Sequence, residues 1–146
     1  MKKNDDLEII KRIERSINKE LKQLSLDEIR LFGKNGYCLA AEGRVVGLNL
    51  DKNEGFDLSL LQGLSHLSVL IIISSSLSDV SPLASLNALT FLEISKNRIK
   101  HLPKWVCDFS RDIKWEIWGY GSPGLYLEDN PLETPPIEVV KEGKAP

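Results

Sequence analysis

A 22-residue repeat constrains this chain more than any other feature. Written under one another, "VVGLNLDKN" from Val45, "LSVLIIISS" from Leu67 and "LTFLEISKN" from Leu89 begin 22 residues apart. They share L-x-x-L-x-L-x-x-N, with Val45 opening the first and Ser75 in the asparagine position of the second. A partial copy, "LYLEDNPL", places Leu125, Leu127 and Asn130 in the same pattern, 33 residues after Leu92. A fixed period of this length marks units that bury an apolar face only by stacking on their neighbours.

The position-by-position reading follows from strand geometry. Alternate strand side chains point to opposite faces, so Leu48/Leu50, Leu70/Ile72, Leu92/Ile94 and Leu125/Leu127 are expected to build one core. Asn53, Asn97 and Asn130 fall where the chain leaves each strand. There a side-chain amide satisfies backbone groups stranded by the bend. Ser75 is expected to do part of that work with fewer hydrogen bonds. The return segments carry Pro82 and, in "HLPKWVCDF", Pro103 with Trp105, Val106 and Phe109. These predict short helical turns on the outer side.

The pattern resembles the leucine-rich repeats of the SDS22-like and internalin type, most closely in "SDVSPLASLNALTFLEISKNRI". The closing block, "GLYLEDNPLETPPIEVVKEG" after "LPKWV" and "IKWE", is similar to the end of the leucine-rich array in bacterial Roco proteins. So is "GRVVGLNLDKN" to its start. The resemblance implies an α/β fold: a short right-handed solenoid with a parallel concave sheet. No Roc or COR residues follow, so it carries over no nucleotide site.

A solenoid needs its ends covered. Residues 1–36 are expected to form an N-terminal helical cap, with Leu7, Ile10, Ile13, Ile17, Leu21 and Leu24 at helical spacing and an acidic start at Asn4 to Asp6. "SLDE" is a capping-box pattern opening a second short helix that stops near Gly33. Residues 37–135 are read as the array, entered through two strands joined by "AAEG". Ile113, Trp115 and Ile117 alternate with charged residues, so 113–128 are read as an inserted β-hairpin turning at "GYGSPG". Residues 136–146 are read as a closing helix and tail.

The search for chemistry returns little. Gly119, Gly121 and Gly124 spell G-x-G-x-x-G, but a strand follows where a dinucleotide site needs a helix. His66 and His101 lack metal-ligand spacing. No catalytic group, metal or cofactor is expected. A net charge of −2 gives no argument for nucleic acid, and the apolar run at Leu70 is short of the ~20 residues of a membrane helix. Cys38 and Cys107 are read as reduced core thiols, a disulfide between them being possible in principle. A cytoplasmic location is expected.

Binding is expected on the concave face, at positions not occupied by the core leucines: Asn49, Asp51, Ile71, Ile73, Glu93, Ser95, Tyr126 and Glu128, with Trp118 extending the patch. Most are polar; Ile71 and Ile73 are not. Either they form a partner surface or the cap, hairpin or a loop covers them. The function expected is a non-catalytic protein-interaction module, monomeric or weakly dimeric. The alternatives are a regulatory piece of a Roco-like GTPase system and a self-associating structural module.

Overall fold

The computed structural model describes residues 5–30, 34–108, 113–114 and 123–134. Its centre is an open seven-stranded sheet in the order β1-β2-β3-β4-β5-β7-β6. The strands are β1 (Lys22–Gln23), β2 (Gly36–Leu39), β3 (Val45–Asn49), β4 (Val69–Ile71), β5 (Phe91–Glu93), β6 (Ile113–Lys114) and β7 (Gly124–Tyr126). Only β2 and β3 pair antiparallel; every other neighbouring pair is parallel. The "AAEG" turn closes the β2–β3 hairpin, with Gly43 donating to the carbonyl of Ala40 at 2.9 Å.

The repeat sets the parallel register. Leu48 lies beside Leu70, Leu70 beside Leu92, and Leu92 beside Leu125. Leu48, Leu50, Leu70, Ile72, Leu92, Ile94, Leu125 and Leu127 are all fully buried in one continuous core. The outer side is closed by 3₁₀ turns at Leu58–Leu61, Ser81–Ser85 and Lys104–Asp108. Trp105 anchors the last by donating its indole N–H to the Val80 carbonyl (3.1 Å).

The expected hairpin over 113–128 is not formed by its described strands. Ile113 pairs with Leu125 and Lys114 with Tyr126 in parallel, with β6 outside β7 on the sheet edge. Alternating residues signal an extended segment but carry no information on its direction. Trp115, Trp118, the glycines 119 and 121, Phe109, Asn4 and the expected helix from Pro136 lie outside the described residues.

Helix α1 (Asp5–Ile17) buries Ile9, Ile10 and Ile13 against the end of the main core. It stops at Asn18, whose φ of 55° breaks the helix. Leu21 and Leu24, placed on the same helical face by spacing alone, therefore lie beyond it. The first turn is acidic as expected, with Asp5, Asp6 and Glu8. Asp6 is in addition buried, 1% exposed. Its carboxylate accepts from Arg44 Nε (3.0 Å), an Arg44 terminal nitrogen (3.1 Å) and the Val45 N–H (2.9 Å). This ties the helix to the first repeat strand.

Candidate functional site

Asn97 shows how the repeat braces itself. Its Nδ2 donates to the carbonyls of Ile72 (2.8 Å), Ile94 (2.9 Å) and Ser95 (3.0 Å). Its Oδ1 accepts from the N–H groups of Ser75 (2.9 Å) and Leu77 (3.1 Å) in the preceding repeat. Asn130 does likewise, donating to Ile94 and Leu127 carbonyls and accepting from Ile99 N–H. Asn53 donates to Leu50 and Asp51 carbonyls. Ser75 accepts from Asn53 N–H (3.1 Å) and shares its single proton between the carbonyls of Ile73 (3.1 Å) and Leu50 (3.4 Å). The serine makes the reduced set its chemistry allows.

One residue before each of these positions the backbone is left-handed: Lys52 (φ 60°), Ser74 (55°), Lys96 (56°) and Asp129 (59°). Each non-glycine residue held there costs roughly 1–2 kcal/mol, repaid by the buried hydrogen bonds that the bend permits. Lys52, Lys96 and Asp129 are exposed and Ser74 half-buried. They form a polar row along the carboxyl ends of β3, β4, β5 and β7.

The face opposite the main core, where binding was expected, is largely closed, which is the second of the two outcomes left open for Ile71 and Ile73. Asn49, Ile71, Glu93, Ser95 and Tyr126 are 0–2% exposed, as are Asp51 and Ile73; only Glu128 is half-buried. The apolar residues there form a second core of Val69, Ile71, Ile73, Phe91, Tyr126 and Ile29, with Leu24 against it. Ile29 belongs to α2 (Leu26–Ile29), the short helix opened by Ser25 and Glu28 in a complete capping box. Leu70 to Ile73 is thus buried on both faces.

Gly36 gives Leu24 its seat, and Gly47 lies close to Cys38 and Ile29. A Cβ on Gly47 would stand 3.3 Å from Cys38 Cβ and 3.5 Å from both γ-carbons of Ile29. A Cβ on Gly36 would meet the Lys22 carbonyl oxygen and Leu24 Cδ1 at 2.5 Å. Asn49 Nδ2 donates to the Ile29 carbonyl (2.8 Å), satisfying an acceptor left open at the end of the short helix. The signals were present in the sequence: Val69 and Phe91 share the face of Ile71, and Leu24 with Ile29 supplies a matching apolar edge. A two-residue apolar excess read without Val69 and Phe91 looked like a surface patch.

The polar groups on this face are held in unequal states. Glu93 Oε1 accepts from the Ser95 N–H (3.2 Å) and the Ser95 hydroxyl, while Oε2 is buried without a hydrogen-bond partner. Burial pushes the Glu93 carboxyl up to about 7; the Ser95 hydrogen bonds oppose this, and Asp51 and Glu128 add to it. Arg30 lies over the Phe91 ring at 5.4 Å, and its Nε is also buried without a partner. Phe91 and Tyr126 pack with centroids 5.1 Å apart. Burial, then the Glu93 charge, raises the Tyr126 phenol, against Arg30. Glu93 and Ser95 are sealed from solvent, so this conformation presents the pair to no substrate.

Cys38 is a buried free thiol, its pKa raised by burial. Among the described residues, no group of three or more His, Cys, Asp or Glu side chains is arranged to hold a metal ion, and no helix is long and apolar enough to cross a membrane. Neither the scan against protein-family models nor the search of curated proteins returned a match. The class established for this chain is a mixed α/β protein with an open, mostly parallel sheet covered by short helices.

Proposed function

We propose that the chain is a leucine-rich-repeat solenoid acting as a non-catalytic protein-interaction module, cytoplasmic and monomeric or weakly dimeric. The observation that carries this reading is the cross-bracing from Asn97 to the preceding repeat. It gives a rigid array in which equivalent residues recur along the sheet. Rigid elements hold contact side chains at low entropic cost on binding. The surface on offer is the row at the strand ends, Lys52, Ser74, Lys96 and Asp129, continued by half-buried Glu128. Its mixed charge suits a polar protein surface. The apolar residues first assigned to the partner are occupied by the chain's own residues 24–30.

The test is affinity capture from the native host with wild type and the Lys52→Glu/Lys96→Glu variant, followed by reconstitution with each purified candidate. A direct complex formed by wild type and weakened at least tenfold by the variant supports the reading. A partner bound equally by both refutes the assigned surface. Absence of any direct complex refutes the module.

A further inference from the structure

The return segments of the first two repeats are built alike. Asp57 and Asp79 stand 22 residues apart, each shortly before a 3₁₀ turn, Leu58–Leu61 and Ser81–Ser85. Asp57 Oδ1 accepts from the Ser59 N–H (2.9 Å) and hydroxyl (2.7 Å). Asp79 Oδ1 accepts from the Ser81 N–H (2.9 Å) and hydroxyl. These bonds lower both carboxyls from the ordinary aspartate value, and none of them uses Oδ2. Both side chains are exposed, so each presents an ionised, oriented carboxylate with an oxygen to spare.

The two carboxylates line one groove of about 310 Å³. Phe56, Leu58, Leu77 and Pro82 give it apolar walls, and among the described residues that line it none is cationic. Its volume is at the small end for a ligand site and suits a single side chain. Two carboxylates between apolar walls are a poor set for a metal ion, which takes more oxygen ligands. They match a flexible apolar stem ending in a cation, which lays its methylenes on apolar surface and keeps its charged head at the rim. We propose that this groove docks a lysine or arginine side chain of a partner polypeptide, the stem against Phe56, Leu77 and Pro82 and the head donating to Oδ2 of Asp57 and Asp79. The site goes beyond the interaction reading: it shares no residue with the strand-end row, and it names the chemical group that the partner brings.

Chemical-shift titration of the full nitrogen-15-labelled chain tests it without the native partner, so a failed titration and a failed affinity capture are separate results. The probes are acetyl-Gly-Arg-Gly-amide and acetyl-Gly-Lys-Gly-amide. Acetyl-Gly-norleucine-Gly-amide supplies the apolar stem without the charge. The expected result is saturable shifts centred on residues 55–58 and 75–82, with at least one basic peptide bound roughly tenfold or more tighter than norleucine. Asp57→Asn/Asp79→Asn keeps both caps, because asparagine offers the same acceptor oxygen. It should weaken the basic peptide roughly tenfold or more. The proposal is overturned if neither basic peptide gives saturable shifts, if the shifts centre elsewhere, if norleucine binds equally, or if the variant binds as wild type does. Should the variant fail to fold, the shift map and the norleucine comparison decide.

Discussion

Replacing Asn97 by alanine tests the bracing logic directly. The substitution removes three donated and two accepted hydrogen bonds. The carbonyl partners have a second lone pair, and Ile94 also receives Asn130 Nδ2, so their loss is the smaller part. The N–H groups of Ser75 and Leu77 each have a single proton and are left without this acceptor. An unsatisfied buried donor costs about 1–3 kcal/mol, so Asn97→Ala is expected to lose about 3–5 kcal/mol. Ser75→Ala strands only the Asn53 N–H and is expected to cost about 1–2 kcal/mol. Ser75→Asn, which restores the repeat's second donor, is expected to add about 0.5–1.5 kcal/mol. Urea unfolding monitored by circular dichroism, with m-values checked for constancy, measures all three. The reasoning fails if Ser75→Ala costs as much as Asn97→Ala, or if Ser75→Asn destabilises the chain.

Three further outcomes follow from buried groups. Asp6→Ala removes the carboxylate shared by Arg44 and the buried Val45 N–H; because Arg44 is one-third exposed, the expected loss is about 2–4 kcal/mol. A double-mutant cycle with Arg44→Ala should give a favourable coupling, and zero coupling would refute the tie. Ile71→Asp, which on an open face would spare the fold, should instead cost at least about 4 kcal/mol by placing a charge in the second core; a normal urea midpoint would mean that the face is uncovered. Glu93 sets the sign of the pH dependence. Its carboxyl rises from 4.5 to about 7 on folding, so its contribution is intact below pH 4.5 and lost as pH climbs through 7. At 1.36 kcal/mol per pH unit the loss is about 3 kcal/mol. Urea midpoints from pH 4.5 to 8.5 should show it, and Glu93→Gln should remove that component.

Much of the main core was legible because its cause is local. The 22-residue spacing places Leu48, Leu70 and Leu92 on neighbouring strands in register, and Ser75 was recognisable as a one-proton substitute for asparagine. The capping box at Ser25 and the turns at Pro82 and Pro103 were equally local in origin. The second face was not legible in the same way. Whether Ile71 and Ile73 meet water depends on where a segment some 45 residues earlier comes to rest. That position depends on Gly36 leaving room for Leu24 and on the Asn49 amide holding the Ile29 carbonyl.

The sequence by itself determined the repeat, its register and its hydrogen-bonding side chains, because spacing and residue chemistry act between adjacent turns of the chain. Tertiary structure alone decided the parallel direction of β6, the burial of Asp6 against Arg44 and the packing of Ile29 and Leu24 into one cluster with Ile71 and Ile73. Strand direction and burial are relations between distant segments, and a linear pattern does not encode which of two apolar faces another part of the chain will cover.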